Sequence, residues 1–346
     1  MVFYEVVCRK RNEKIGQKVT FKGLEAKATA DLRVVAVVVS YNRETLLQQS
    51  LDALQAQTRP LDAVLVIDNA STDKSEKVAK EHSLKAEVVV LTRNTGGAGG
   101  FAAGIAYATE TLDADCVWLM DDDTIPEPAA LQELLKCADD YPGEVALVGS
   151  RVVWHDGREH PMNTPRVRPG ASQSEMISAG MVQATPVRSS SFVSMLIAVP
   201  AVREQGLPVS DYFIWNDDFE YSLRLLKKDV GLASHASQVL HLTKNFGSTD
   251  ADPGERFFYE VRNKVWLLRF SSGLTPFERL LYTGSSLRRW FRTVRFSQNK
   301  KLLLEVGWRG LRRGFGTRPL DNTAVLAGLG TVSENISSIE GSLSNS

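Results

Sequence analysis

An apolar run near the middle of the chain ends in three consecutive carboxylates, Asp121, Asp122 and Asp123. The residues before them have the composition of a buried strand. Because strand side chains alternate, Asp121 and Asp123 should share one face while Asp122 points to the other. Two carboxylates on one face repel each other unless a cation lies between them, and oxygen ligands suit Mg²⁺ or Mn²⁺. The triplet therefore predicts a divalent metal site, although a solvated acidic turn before Pro126 would contain the same residues.

A second acidic segment, residues 211–224, carries Asp217, Asp218 and Glu220 into a predicted helix. Acidic residues are favoured at a helix N-terminus by the helix dipole, so capping alone would explain them. Aromatic residues surround these acids, at positions 213, 215, 219 and 221. A carboxylate among aromatic rings can have its pKa raised into the range of a general base, so the segment is equally a candidate catalytic site.

The elements that would position these acids alternate regularly from Arg33 onward. Predicted strands of buried, apolar composition cover residues 34–39, 63–68, 86–91 and 116–120. Helical spacing of apolar residues covers residues 44–57, 73–81 and 100–112 between them. Strands that alternate with helices in this way predict an α/β fold with a parallel sheet and helices on its faces.

Polar residues follow each predicted strand, at the edge of the sheet where parallel α/β folds bind ligands. The clusters are residues 40–43, 68–73, 93–100 and the carboxylate triplet. Turn chemistry alone would explain any one of them, but their meeting at one edge indicates a binding site. The glycines of residues 94–100 permit close approach to a phosphate or sugar, while their spacing matches neither the dinucleotide fingerprint nor a P-loop.

The chain after Pro126 supplies further elements and a candidate histidine. The predicted elements are a helix over 127–138, strands over 144–153 and 192–200, and a helix over 256–270. The polar residues 155–170 should form a loop over the site. His241 ends an apolar stretch, but His235 is an equally good candidate by composition, and a lone histidine is more often structural than a ligand.

Composition places the chain among globular proteins of a reducing compartment. It has 346 residues, 43% of them hydrophobic and 24% charged, with zero net charge and three cysteines. An odd, widely spaced set of cysteines implies neither a disulfide framework nor a zinc site. No apolar run is long enough to cross a bilayer and the N-terminus lacks the order of a signal peptide, so we expect a cytosolic protein unless its surface binds a membrane.

Charge and composition change towards the two ends of the chain. Residues 279–318 contain 11 Lys or Arg and one acidic residue, interleaved with leucine, phenylalanine and tryptophan. Basic amphipathic helices are therefore predicted over 271–320, and they either bind an anionic membrane surface or pack on the main domain. No nucleic-acid-binding motif accompanies them. We expect residues 1–32 to form a short β-rich extension and the Ser- and Gly-rich residues 321–346 a mobile tail.

Taken in order, these motifs resemble inverting family 2 glycosyltransferases of the GT-A fold. The resemblance is carried by residues 38–43, 67–73, 94–101, the carboxylate triplet, Asp218 with Glu220, His241, and Tyr259 with Arg262 and Asn263. It covers residues 33–270 and implies one domain with a mostly parallel, Rossmann-like sheet flanked by helices. The glycine-rich segment and the triplet are most similar to those of UDP-galactofuranose-dependent transferases of the actinobacterial cell wall.

The resemblance implies roles for individual residues. Asp121 and Asp123, together with His241, would hold Mn²⁺ or Mg²⁺ on the donor diphosphate. Asp218 would be the general base, with the adjacent Asp217 as a rival. The implied nucleotide-sugar contacts are Ser40, Arg43, Asp68, Asn94, Gly96, Gly97 and Asp122, and the implied acceptor contacts are Trp215 and Glu220.

The implied reaction moves galactofuranose from UDP-galactofuranose onto a polyprenyl-diphosphate-linked glycan during synthesis of cell-wall arabinogalactan. Because that acceptor is lipid-linked, the basic helices are predicted to bind the cytoplasmic face of the plasma membrane as a peripheral contact. The short N-terminal extension favours an enzyme that adds one or two sugars over a polymerase. The alternatives are a dTDP-rhamnose-dependent rhamnosyltransferase and a non-catalytic nucleotide-sugar-binding protein, and the sequence does not indicate an oligomeric state.

Overall fold

A ten-stranded sheet runs through the molecule, which the computed structural model describes over residues 21–243 and 252–343. The strands are β1 (Val34–Ser40), β2 (Ala63–Asp68), β3 (Glu87–Val90), β4 (Cys116–Asp121), β5 (Thr124–Pro126), β6 (Val145–Val153), β7 (Arg166–Val167), β8 (Ala184–Ser189), β9 (Met195–Ala198) and β10 (Val230–His241). Their order across the sheet is β3-β2-β1-β4-β9-β6-β10-β8-β7, with β5 paired to β10.

Helices cover the sheet and continue beyond it towards the C-terminus. They are α1 (Glu44–Gln55), α2 (Ser75–Glu81), α3 (Gly96–Glu110), α4 (Ala130–Asp140), α5 (Gln173–Met181), α6 (Val199–Gln205), α7 (Asp217–Leu225), α8 (Phe257–Phe270), α9 (Pro276–Phe296), α10 (Lys300–Gly316), α11 (Asn322–Val325) and α12 (Thr331–Leu343). Short 3-10 segments lie at Thr29–Asp31, Ser210–Tyr212 and Gly254–Arg256.

The pairing of the strands confirms the predicted α/β class with a mostly parallel sheet. Strands β3, β2, β1 and β4 are parallel neighbours, as are β6 and β10, whereas β9 runs antiparallel between β4 and β6. The strand predicted over 192–200 is shorter than expected, because Val199 already begins α6. Helix α3 begins at Gly96 instead of Gly100, so the glycine-rich segment forms its first turn.

Both faces of the sheet are buried, as the alternation along β1 shows. Val37 and Val39 belong to the core beneath α3, whereas Val38 between them belongs to the core beneath α1 and α4. Glycines let α3 lie directly on β1, since a Cβ at Gly100 would lie 2.5 Å from Val39 and one at Gly104 2.3 Å from Val37. This close approach brings the first turn of α3 to the carboxyl end of β1, where the polar clusters meet.

Helices α8, α9 and α10 form a layer beside the sheet, and a buried ion pair holds this layer against β8. Arg188 of β8 donates to Glu278 Oε1 at 2.7 Å, and Arg188 also donates to the carbonyl oxygens of Leu223 at 2.8 Å and Gly273 at 2.5 Å. Glu278 closes a capping box with Thr275 at the start of α9. Because both charges are paired and further hydrogen-bonded, they fix the first turn of α9 against β8 and α7.

The prediction of a mobile tail is wrong for residues 322–343, which form α11 and α12. Val332, Ile336 and Ile339 of α12 are at most 2% exposed and belong to the core beneath α3. The Ser- and Gly-rich composition suggested disorder, but apolar residues at intervals of three and four give this helix one face to bury. Residues 344–346 lie outside the part of the chain that the structure describes.

The N-terminal extension predicted over 1–32 lies mostly outside the described residues, which begin at Phe21. Phe21 forms an isolated bridge with Val145 at the edge of β6. The residues that follow it include the short 3-10 segment Thr29–Asp31. In the described parts of the chain, no helix combines the length and the apolar character that crossing a bilayer requires.

Candidate active site

A cavity of about 550 Å³ opens at the carboxyl ends of the central strands. Residues 161–166 and 189–193 form part of its wall, so the loop predicted to lie over the site borders this cavity. Six of the residues predicted from the sequence line it. They are Gly97, Asp121, Trp215, Asp217, Asp218 and His241.

Asp121, Asp123 and His241 converge beside this cavity, as the sequence predicts. One ligand atom from each lies within 4.8 Å of the others, a spacing that a single divalent ion can bridge. The antiparallel pairing of β5 with β10 places His241 opposite Thr124, next to the triplet. The alternative His235 instead hydrogen-bonds a threonine of β8 at 2.9 Å. The structure therefore brings His241, and not His235, to the carboxylates.

The charges around this cluster favour a bound cation. Burial, and then the charges of the four other aspartates of the triplet and of α7, raise the pKa of Asp121 well above its usual value. Burial alone would also raise the pKa of Asp123, but the hydrogen bond and charge of His241 and the charge of Arg43 hold it below that value. Two carboxylates and an imidazole, with excess negative charge around them, fit Mg²⁺ or Mn²⁺.

Asp122 points away from the cluster, although it lies in the turn after β4 and not within the strand. Its Oδ2 accepts hydrogen bonds from Ser40 Oγ at 3.0 Å and from Tyr41 N at 3.1 Å. The Ser40 hydroxyl and the Asp122 carboxylate thus tie the end of β1 to the end of β4, and the nucleotide-sugar contact expected of Ser40 stays a prediction. Burial, and then the charge of Asp123, raise the pKa of Asp122 to about 7.

Arg43 and Asp68 lie at the ends of neighbouring strands, β1 and β2. Arg43 Nη1 lies 3.0 Å from Asp123 Oδ2, and the side chain is 40% exposed, so it can reach a ligand beside the carboxylates. Asp68 Oδ2 accepts from Ser71 N at 3.0 Å, whereas Oδ1 is buried with no hydrogen-bond partner in the described parts of the chain. An unpaired buried oxygen is unfavourable, and a donor on a bound nucleotide would pair with it.

The glycine-rich turn is held by Asn69, to which the sequence assigned no role. Asn69 Nδ2 donates to Gly96 O at 2.8 Å, and Asn94 Oδ1 accepts from Gly96 N at 2.8 Å. Gly96 has a φ of +72°, and a Cβ there would lie 2.0 Å from Phe213 O, so only glycine fits. Gly97 lines the cavity with open space above its Cα, which leaves room for a ligand. Asn94 and Gly96 therefore shape the turn, and Gly97 faces the ligand side.

Asp217 and Asp218 begin α7 in the wall of the same cavity. Burial, and then the charge of Asp218, raise the pKa of Asp217 to about 8. Burial also raises the pKa of Asp218, against the opposing effects of a backbone N–H, a hydrogen bond to Ser191 and the charges of Lys264 and Arg166. A carboxylate with a raised pKa is suited to accept a proton near neutral pH. Asp218 is the more exposed of the two.

The backbone before Asp217 is held in a conformation that residues other than glycine rarely adopt. Phe213, Trp215 and Asn216 have φ angles of 65°, 67° and 67°. Nδ2 of Asn263 on α8 lies 2.9 Å from each of the carbonyl oxygens of residues 212, 214 and 215. These contacts fix the loop, and they leave Trp215 in the cavity wall, where the predicted acceptor contact requires it.

Glu220 lies inside the protein and not in the cavity wall. Its side chain is buried, and its Oε1 accepts hydrogen bonds from Arg224 Nε at 2.9 Å and Ser271 Oγ at 2.9 Å. The acceptor contact expected of Glu220 is therefore wrong. The pair that it forms with Arg224, one turn along α7, stabilises the helix and joins it to the end of α8.

Asn163 and Ser191 link the metal-binding cluster to the acids of α7, a connection that the sequence did not reveal. His241 Nδ1 lies 2.8 Å from Asn163 Oδ1, and Asn163 Nδ2 donates to Ser191 Oγ at 3.0 Å. Ser191 in turn hydrogen-bonds Asp218. Because an amide oxygen only accepts, His241 carries a proton on Nδ1 and directs Nε2 towards the carboxylates, as a metal ligand must.

Comparison with known proteins identifies the family. Residues 35–183 match the family described as glycosyl transferase family 2. Over 251 residues the chain is 30% identical to galactofuranosyltransferase GlfT1 of Mycobacterium tuberculosis (strain ATCC 25618 / H37Rv), a match that covers 68% of this chain and 82% of that protein. The chain belongs to glycosyl transferase family 2. GlfT1 of Mycolicibacterium smegmatis is 32% identical over 209 residues, which cover 57% of this chain and 66% of that protein.

The fold of this family 2 glycosyltransferase is similar to crystal structures of S. aureus TarS. One structure of TarS 1-349 has a TM-score of 0.57 and 16% identity, and covers 91% of this chain and 92% of that chain. The complex of TarS 1-349 with UDP has a TM-score of 0.59 and 15% identity, with the same coverage. At this identity the likeness shows the shared fold alone. It confirms the GT-A architecture predicted from the sequence.

We predict that Asn163 sets the metal affinity of the cluster. Asn163→Ala removes the oxygen that orients His241, and loss of such an outer partner should weaken Mn²⁺ binding by about 10- to 100-fold. Asn163→Asp keeps an oxygen for His241 Nδ1 and should retain the affinity, whereas Asp121→Ala should abolish binding. Calorimetric titration with Mn²⁺ in the presence of UDP measures all three variants. Equal losses in Asn163→Ala and Asn163→Asp would contradict the assigned role.

Proposed function

We propose that this family 2 glycosyltransferase transfers galactofuranose, with inversion, from UDP-galactofuranose to a polyprenyl-diphosphate-linked glycan in arabinogalactan synthesis. The observation that supports this most is the meeting of two groups at one cavity. These are a metal-binding trio, Asp121, Asp123 and His241, and a candidate base, Asp218. The similarity to the GlfT1 galactofuranosyltransferases favours this donor sugar.

The donor end of the cavity is the metal-binding trio with the strand-end residues beside it. Mn²⁺ or Mg²⁺ at the trio supplies positive charge that stabilises the leaving diphosphate. Arg43, 3.0 Å from Asp123, places a second positive charge beside the phosphates. Asp68 accepts a hydrogen bond from the base or ribose through its unpaired Oδ1, and Gly97 allows the sugar nucleotide to approach the backbone.

The acceptor end of the cavity contains Asp218 and Trp215. Asp218 accepts the proton of the acceptor hydroxyl while the oxygen of that hydroxyl attacks the anomeric carbon of the donor sugar. The bond from that carbon to the β-phosphate oxygen breaks, UDP leaves, and attack on the opposite face inverts the configuration. Asp218 is the more exposed of the two adjacent carboxylates, which favours it over Asp217 as the base. Trp215 offers an aromatic surface to the acceptor sugar.

We predict that Asp218→Asn lowers kcat by about a hundredfold or more, because an amide cannot accept the proton. Binding of UDP and Mn²⁺ should be unchanged, since the trio is intact. Asp217→Asn is the matched neighbour and should have a milder effect on kcat. Steady-state kinetics combined with calorimetric UDP affinity measure both variants. A more severe loss in Asp217→Asn would move the base to Asp217.

The donor is tested by offering UDP-galactofuranose, UDP-galactopyranose and dTDP-rhamnose separately, with Mn²⁺ and a lipid-linked glycan acceptor. We expect transfer from UDP-galactofuranose, little from the other two, and loss of transfer when EDTA removes the metal. Preferred use of dTDP-rhamnose would identify a rhamnosyltransferase instead. Tight UDP binding without transfer from any donor would indicate a non-catalytic nucleotide-sugar-binding protein.

We infer that α9 and α10 bind the cytoplasmic face of the plasma membrane. Apolar side chains recur at helical spacing on one side of α9 and are 58–71% exposed: Phe277, Leu280, Leu287 and Phe291. Exposed arginines follow them along the same helix, namely Arg288, Arg292 and Arg295. Leu303 and Val306 of α10 pack on α8, so packing on the main domain accounts for the inner residues only. Near an anionic bilayer each basic contact contributes about 1 kcal/mol.

We predict that the protein co-sediments with phosphatidylglycerol vesicles at low salt and dissociates at high salt, because screening weakens the basic contacts. Replacing Arg288, Arg292 and Arg295 together with Gln should remove most of the binding. The matched control replaces Lys77, Lys80 and Lys136 with Gln, which changes the net charge equally at exposed positions elsewhere. Unchanged binding by the arginine variant, or an equal loss in the control, would contradict the membrane surface.

A further inference from the structure

Three cationic side chains line the cavity near the candidate base: Arg166, Lys264 and Arg289. Arg289 is paired with Glu260, which also accepts a hydrogen bond from Asn216 at 2.9 Å. Lys264 is only 5% exposed. In the described parts of the chain, neither Lys264 nor Arg166 has an ion-pair or side-chain hydrogen-bond partner, and both contact aromatic rings.

Phe219 brings the two unpaired cations together. Lys264 Nζ lies 4.5 Å from the centre of the Phe219 ring, and Arg166 Cζ lies 4.9 Å from it. Burial, together with the charges of Arg289 and Arg166, outweighs the attraction of Glu260 and lowers the pKa of Lys264 to about 7. Glu260 and Asp218 attract the Lys264 ammonium without forming an ion pair with it, so an incoming anion in contact with the ammonium would stabilise this part of the cavity.

We propose that Arg166, Lys264 and Arg289 form a subsite that binds the diphosphate of a lipid-linked acceptor. The proposal rests on the proposed function, in which the acceptor carries its glycan on a polyprenyl diphosphate. Guanidinium and ammonium groups bind phosphate oxygens through charge-assisted hydrogen bonds, which are stronger than those between neutral groups. The charges of Lys264 and Arg166 act on Asp218, which places the subsite beside the candidate base, at the acceptor end of the cavity.

Helix α9 also provides a place for the hydrocarbon chain of such an acceptor. Arg289 points into the cavity, and the next two residues, Trp290 and Phe291, line an apolar groove of about 300 Å³ between α8, α9 and α10. The other residues of this groove are apolar side chains and Gly307. Trp290 of the groove donates from Nε1 to Glu260 of the cavity wall at 3.2 Å, so the cationic subsite and the groove adjoin. This arrangement matches a diphosphate joined to a hydrocarbon, and a nucleotide diphosphate carries no such chain.

Two acceptors with the same glycan test the subsite: one on a prenyl diphosphate, and an octyl glycoside that lacks the diphosphate. Lys264→Met and Arg166→Gln should each raise KM for the diphosphate acceptor by about tenfold or more. They should leave KM for the octyl glycoside and for UDP-galactofuranose unchanged. Arg168→Gln is the matched control, because Arg168 lies two residues from Arg166 and pairs with Glu175 at 3.2 Å. Equal increases for both acceptors, or for neither, would overturn the subsite.

A binding measurement separates failure of the subsite from failure of the proposed function. Inorganic pyrophosphate is titrated into the protein in EDTA, without donor or acceptor. The affinity for pyrophosphate should fall about tenfold or more in Lys264→Met and in Arg166→Gln. If Lys264→Met does not fold, Lys264→Gln takes its place. His241→Ala, at the donor end, should not change this affinity. Loss of pyrophosphate affinity in His241→Ala alone, or in no variant, would overturn the subsite. The expected affinity losses in a protein that transfers no sugar would overturn only the proposed function.

Discussion

Negative charge is concentrated at one edge of the sheet, and the neighbouring side chains are arranged to compensate it. Five aspartates converge there, and the leading contributions to the pKa of Asp121, burial and the four other carboxylates, all raise it. Such charges persist in a folded protein only where cations or hydrogen-bond donors compensate them. Arg43 and His241 compensate Asp123, and Ser40 compensates Asp122. Asp121 is the carboxylate at which a divalent ion relieves the most repulsion, so metal binding and the packing of the strand ends serve the same electrostatic requirement.

Backbone strain beside the base is a second constraint, and one short stretch of α8 balances it. A residue other than glycine held at positive φ costs about 1–3 kcal/mol, and three residues of the loop 213–216 adopt it. Asn263 Nδ2 contacts three carbonyl oxygens of this loop, and Arg262 Nη2 donates to the carbonyl oxygens of residues 211 and 212 at 2.7 and 3.0 Å. These contacts hold the loop in the conformation that places Trp215 and Asp218 in the cavity wall. Arg262 and Asn263, which entered the sequence analysis only through the family resemblance, thus have a physical role: they hold this loop in place.

The reach of each physical signal decides what the sequence could reveal. Hydrophobic periodicity and local charge act over a few residues, so the parallel sheet and the carboxylate triplet were predictable. Strand β4 ends at Asp121, so the turn after it, and not strand alternation, sets how Asp122 and Asp123 face. The contact between Asn163 and His241 joins residues 78 positions apart, and it depends on how the loop after β6 folds over β10. Lys264 looks like any helical lysine until α8 packs beside Phe219. The prediction of a mobile tail was wrong for α12 because it rested on the average Ser- and Gly-rich composition. The spacing of Ile336 and its apolar neighbours, and not their number, gives this helix a buried face.

Helix α9 joins the proposed membrane surface to the chemistry without a flexible segment between them. Its first turn is fixed by the buried pair of Arg188 and Glu278, 2.7 Å apart, and its middle is fixed by the pair of Arg289 and Glu260. Glu260 also accepts from Asn216, the last residue of the strained loop before the acids of α7. Helix α9, which would lie on the bilayer, therefore shares a hydrogen-bonded network with the loop 213–216, which positions the candidate base Asp218. With α9 on the membrane, side chains that are already ordered set the height of the base above the lipid surface. A lipid-anchored acceptor would then meet a site whose position needs no further adjustment.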